Sequence, residues 1–130
     1  MLFRSPLDYP VAVERTREAL GREGFGVLTE IDVSATLKKK LDVDFRPYII
    51  LGACNPALAH RALSAERDIG LLLPCNVIVY AGDTAGTSTV AAMDPAAALQ
   101  LTGRADIAEL SLEVRARLER ALADVERGAA

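Results

Sequence analysis

The chain predicts an α+β domain: a mixed or antiparallel sheet with helices packed mainly on one face. Three observations carry this reading. At 130 residues with 51% hydrophobic and 25% charged side chains, the chain is long enough for one core and too short for two. Apolar residues recur with period two in some segments and with helical spacing in others, without the strict β–α alternation of a parallel sheet. A long apolar run, a glycine-rich turn and a return run then form a hairpin, which supplies an antiparallel pair. The expected organisation is a single domain over 1–130.

Along the chain, residues 1–9 make a poor strand because Pro6 interrupts them. Pro10 suits a first helical turn, and 11–22 follows with Val13, Ala19 and Leu20 inward until Gly21 and Gly24 stop it. Residues 25–33 alternate as a strand. Phe25, Val27, Thr29, Ile31 and Val33 are expected on one face, and Leu28, Glu30 and Asp32 on a more polar one. Ser34 is the expected cap of a short helix over 35–41 anchored by Leu37 and Leu41. Residues 47–53 are nearly all apolar, hence a central strand. Asn55 and Pro56 then open a helix over 56–65 as cap and first residue, with Leu58, Ala59, Ala62 and Leu63 as its apolar positions. The hairpin pairs 69–81, broken or bulged at Pro74, with 87–93 across the turn 82–86. A final helix over 106–127 carries a stripe of Ile107, Leu110, Val114, Leu118, Ala121, Leu122 and Val125.

Composition narrows the function classes. The net charge is −3, and the single basic run Lys38-Lys39-Lys40 fits a solvated helix face, so no nucleic acid is expected as a partner. A 5% aromatic share without tryptophan argues against stacking surfaces for bases or sugars. No apolar run approaches the roughly 20 residues that span a bilayer, and Met1–Pro6 lacks the apolar core of a signal peptide. The expectation is a soluble cytoplasmic protein, without membrane association, in a compartment that keeps thiols reduced.

Two cysteines, the only ones, occupy look-alike settings: Ala53-Cys54-Asn55-Pro56 and Pro74-Cys75-Asn76. If Asn55 caps the following helix, Cys54 lies at its N-terminus, where the partial positive charge favours a thiolate. Two readings of Cys54 stand. It is an activated thiol or soft metal ligand, or a small buried residue closing a strand end. Cys75 gains interest if the two apolar strands are neighbours, because the thiols then meet at one end of the sheet. Cys54, Asn55, Cys75 and Asn76 are therefore the candidate ligand-binding or reactive residues. His60, the only histidine, falls off the apolar stripe of its helix and is expected at the rim. Glu30 and Asp32, two apart on a strand, form a carboxylate pair for a cation or acid–base work, or simply a solvated face. No cofactor or metal is expected. Gly24-Phe25-Gly26 precedes a strand instead of opening a helix, and two cysteines without Cys-x-x-Cys are no zinc signature.

Three stretches, 24–33, 51–56 and 73–77, containing Gly24-Phe25-Gly26, Leu51-Gly52-Ala53-Cys54-Asn55-Pro56 and Leu73-Pro74-Cys75-Asn76-Val77, resemble a prokaryotic family in the same order. It is the family of domain of unknown function 302, and the likeness extends over 12–95. The resemblance implies a compact α+β domain of the TATA-box-binding-protein-like class and a homodimer, with no established activity. Two functional readings follow: a non-catalytic module that binds a protein or small-molecule partner, and a thiol or redox-linked protein that uses Cys54 and Cys75.

Overall fold

Five strands hydrogen-bond into one antiparallel sheet in the order β1-β5-β4-β3-β2 in the computed structural model, which describes residues 2–128. In chain order the elements are β1 (Leu2–Ser5), α1 (Tyr9–Arg22), β2 (Gly26–Asp32), α2 (Val33–Leu41), β3 (Tyr48–Cys54) and α3 (Pro56–Ala65). A 3-10 segment, Arg67–Leu72, leads into β4 (Cys75–Ala81) and β5 (Ser88–Ala92). The chain ends with the single turn α4 (Pro95–Ala98), a second 3-10 turn and α5 (Ala105–Gly128).

Local chemistry sets these boundaries. Pro10 occupies the first turn of α1, where a missing N–H costs nothing. Asn55 Oδ1 accepts from Leu58 N at 3.3 Å and Pro56 follows, which starts α3 as expected. Asp94 starts α4 in the same way, accepting from Ala96 N at 2.9 Å. At α2 the cap is Asp32 and not Ser34. Its Oδ1 accepts from Ala35 N at 3.0 Å, and Ser34 Oγ donates to the same oxygen at 2.9 Å, so the serine supports the cap.

The core lies between one sheet face and the helices. Ile49, Leu51 and Ala53 of β3, Cys75, Val77 and Val79 of β4, and Val90 and Ala92 of β5 supply the sheet side. Ala12, Val13, Ala19 and Leu20 of α1, Leu58 and Ala62 of α3, and the whole expected stripe of α5 supply the other. Each Leu or Ile so buried contributes roughly 1.5–3 kcal/mol. α2 is the exception among the longer helices: none of its residues is buried and Leu41 is 66% exposed, because it packs chiefly against β2 and β3. Leu37 and Leu41 therefore do not anchor it in the core. Leu63 is likewise exposed at 39%.

Three further expectations are corrected. Residues 2–5 do form a strand, paired in register with β5 from Leu2↔Ala91 to Ser5↔Ser88, and Pro6 ends it without preventing it. Residues 69–74 are not strand. The 3-10 segment occupies most of them, a cis Leu73–Pro74 bond follows, and β4 begins only at Cys75. In β2 the register shifts between Val27 and Thr29, leaving Leu28 unpaired. This bulge reverses the alternation. Val27 pairs with Ala53 on the helix side, while Thr29 pairs with Gly52 and Ile31 with Ile50 on the opposite face. Glu30 and Asp32, opposite Leu51 and Ile49, therefore turn towards the helix side at its rim.

Gly52 is required by close packing and not by its backbone angles. A Cβ there would overlap the Thr29 hydroxyl and stand 2.9 Å from Pro74 Cγ. Gly52→Ala should therefore lower stability by about 1–3 kcal/mol, the usual cost of overpacking. Thr29→Ala in the same chain should recover part of that loss in urea denaturation. Strictly additive losses would show that the two positions do not collide.

Candidate functional site

The β3–β4 register places Cys75 directly opposite Ala53, one residue from Cys54. Both cysteines are free thiols, Cys75 buried and Cys54 half-buried. Both line one small, partly open cavity at the end of the sheet, walled by Phe25, Ala53, Leu58, Leu73, Pro74, Leu99, Leu110 and Val114. The space is about 30 Å³, room for a single water, and its walls are almost entirely apolar.

Neither thiol is activated. Burial raises the Cys54 pKa above its ordinary value. Burial, with a smaller contribution from the neighbouring Cys54, pushes Cys75 up to about 11. Desolvation of the anion outweighs any attraction from the N-terminus of α3, so both groups are protonated at neutral pH.

Asn55 also lines the cavity, but its polar atoms serve the fold. The amide oxygen caps α3 while Nδ2 packs against Gly24, where a Cβ would stand 2.9 Å away. Gly24 has φ +83°, a conformation glycine adopts without strain, which brings the α1–β2 turn against that amide. Arg117 Nη1 donates to Glu23 O at 3.1 Å and fastens the same turn to α5. Asn76 stays outside the cavity. Its side chain is exposed, and its carbonyl accepts from Met93 N at 3.1 Å. Of the four candidate residues, three meet around one cavity and the fourth does not.

The other candidates are dispersed. His60 is exposed on α3. Glu30 is ion-paired with Arg17 Nη1 of α1, which holds the carboxyl below the usual range, and Asp32 is lowered by its hydrogen bonds from Ala35 and Ser34. With one carboxylate in an ion pair and the other capping a helix, Glu30 and Asp32 do not form a cation or acid–base pair. Lys38 is paired with Asp42 at 3.1 Å and with Asp44 at 3.3 Å, so the lysine run has nearby acidic partners. Among the described residues, no group of three or more His, Cys, Asp or Glu side chains converges as a metal site.

The open face of the sheet is the feature least visible in the sequence. Ile31, Ile50, Ile78 and Ala91 pair in register into one apolar row across four strands. Beside it run Tyr48, Tyr80 and Thr89, with the two tyrosine rings stacked at 5.2 Å and 9° and Phe45 tilted against Tyr48 at 6.1 Å. On the other side lie Thr29, Gly52 and Asn76. From β2 to β5 none of the residues in these three rows is charged, and the tyrosine row meets Arg4 of β1, the ladder partner of Thr89, at the sheet edge. Ile31 is 49% exposed and Phe45 48%. Nearby charges are paired to one another, as in Arg46 Nη1 with Asp83 Oδ1 at 2.9 Å.

Fold and site together define a small α+β domain with one helix-covered sheet face and one open face whose central row is apolar. Residues 2–125 match the model of the domain of unknown function DUF302, and the chain belongs to that family. It is similar to the crystal structure of an uncharacterized conserved protein DUF302 from Bacillus stearothermophilus, at 30% identity over 95% of each chain with a TM-score of 0.87. Among curated proteins, none matches. No helix among the described residues is long and apolar enough to cross a membrane.

The raised thiol values have two measurable consequences. Iodoacetamide at neutral pH should modify Cys54 before the buried Cys75, and both more slowly than a free thiol; fast modification of Cys54 would contradict its assigned protonation. Because the folded protein holds the Cys75 proton to about 11 and the unfolded chain releases it near 9.0, this group's stabilisation is complete below pH 9.0 and is lost as pH rises to about 11. Wild type should therefore lose more Tm than Cys75→Ala over that interval, and equal losses would remove the assignment.

Proposed function

We propose that this protein is a non-catalytic binding module whose open sheet face docks a partner, and that the partner is a second copy of the same chain. One observation carries the reading: the unbroken row Ile31–Ile50–Ile78–Ala91, flanked by stacked Tyr48 and Tyr80, on a face whose rows carry no charge from β2 to β5 and meet Arg4 only at the β1 edge. A contiguous apolar patch of this kind is characteristic of an interface. Its composition, aliphatic centre with aromatic neighbours and charges at the rim, is that of an interface core. A charged partner would leave its charges desolvated and unpaired against these rows. A second copy brings the same apolar row, and a two-fold axis through it makes the contact self-complementary.

The alternative, a thiol-centred protein acting on a small molecule, has less support. The cavity beside Cys54 and Cys75 holds little more than one water, and both thiols are protonated at neutral pH. The reduced cysteines fit a cytoplasmic location.

Light scattering across a dilution series tests the module directly. The unmodified chain should run with the mass of a dimer. Ile50→Lys, and independently Ile78→Lys, should run as folded monomers with unchanged circular dichroism. An unmodified chain that is monomeric at every concentration, or a lysine variant that remains dimeric, would overturn the reading.

A further inference from the structure

We propose that the depression beside Tyr80, at the end of the sheet where β4 turns into β5, binds a neutral pyranose sugar. It offers about 640 Å³, within the usual range for small-molecule sites, and its lining combines an aromatic ring with several hydroxyl groups. It is separate from the cysteine cavity, with which it shares no lining residue. The aromatic share of the chain is low, but Phe45, Tyr48 and Tyr80 gather at this end of the sheet.

Tyr80 supplies the platform. Across the sheet the row runs Tyr48, Tyr80, Thr89. The two tyrosine rings stack at 5.2 Å and 9°, so Tyr48 covers one face of Tyr80. The other face looks along the row over Thr89, a side chain too small to cover it. The apolar C–H face of a sugar ring packs against such a surface. Thr89 is the second observation. It is only 7% exposed and lines the depression, and among the described residues its hydroxyl has no hydrogen-bond partner. A ligand hydroxyl at that point satisfies a group whose desolvation is otherwise uncompensated.

The wall beside Tyr80 supplies polar groups already held in place. Arg46 Nη1 donates to Asp83 Oδ1 at 2.9 Å and to Ala81 O at 3.1 Å, which fastens both side chains to the hairpin turn. Arg46 Nε and Nη2 and Asp83 Oδ2 have no partner among the described residues, so donors and an acceptor stand side by side. Neighbouring sugar hydroxyls, each both donor and acceptor, match that set. Charge selects neutrality. Arg46 and Asp83 are the charged residues on the lining, and they offset each other, so an ionised ligand meets one of them with like sign. Tyr80 lies two residues beyond Ile78 along β4, outward of the isoleucine row, so the site stands whether or not that row docks a second copy.

The test follows the Tyr80 ring and the Thr89 methyl of the full chain by NMR. Glucose, galactose or mannose is added to about 100 mM, which saturates a site of millimolar affinity. Light scattering on the same samples reads the oligomeric state separately. At least one of the three sugars should shift both signals along one saturating curve, in a monomer or a dimer alike. The methyl glycoside of that sugar identifies the source: tighter binding of the free sugar marks a monosaccharide, and tighter binding of the glycoside marks the end of a glycan. Asp83→Ala and Thr89→Val should each weaken binding about tenfold with circular dichroism unchanged, because Asp83 is exposed and valine keeps the shape of threonine. Absence of a saturable shift with all three sugars, undiminished binding by either variant, or a preference for glucuronate over glucose would overturn the proposal.

Discussion

The pairing of β3 with β4 is the constraint on which the rest of the molecule depends. Tyr48↔Tyr80 through Ala53↔Cys75 is an unbroken register at the centre of the sheet. A single choice of phase sends Ile49, Leu51, Ala53, Cys75, Val77 and Val79 into the core. The same choice leaves Tyr48, Ile50, Ile78 and Tyr80 on the opposite face. A slip of one residue would exchange the two sets, burying tyrosines beneath the helices and exposing the valines. The register also determines which residues meet at the strand ends, and so brings the two cysteines to one cavity.

Steric devices hold that register. Gly52 lets Thr29 from β2 and Pro74 from the β4 approach close over one backbone position. The bulge at Leu28 then lets β2 supply Val27 to the helix side and Ile31 to the open face within one strand. Glu30, displaced to the helix side, meets Arg17 at the rim and needs no burial. A pair of carboxylates that resembles chemistry in one dimension is thereby divided between an ion pair and a helix cap.

Most of the architecture was legible because its signals are local. Asn55-Pro56 states a helix start through cap geometry, and the α5 stripe from Ile107 to Val125 states its buried face through spacing alone. What escaped depended on distant partners. Residues 2–5 become a strand because β5 offers them a ladder, which outweighs the short length and nearby Pro6. Residues 69–73 are apolar enough for a strand, yet only Ile69 is buried, and Leu71 is 89% exposed. The Leu28 bulge leaves no mark on an otherwise regular alternation, so alternation alone places Glu30 and Asp32 on the wrong face. The proximity of the cysteines was foreseeable from two neighbouring strands, whereas the cavity walls from Leu99, Leu110 and Val114 come from segments far along the chain.

On the proposed dimer, the face opposite the helices is covered by another copy of the chain. Isoleucine methyl NMR with a soluble paramagnetic probe tests it within the native protein, because the isoleucines divide between the two faces. Ile49, Ile69 and Ile107 are buried internally and serve as protected references. Ile31, Ile50 and Ile78 should be shielded at high protein concentration and become strongly broadened by the probe on dilution. Equal broadening of those three methyls at every concentration would contradict it.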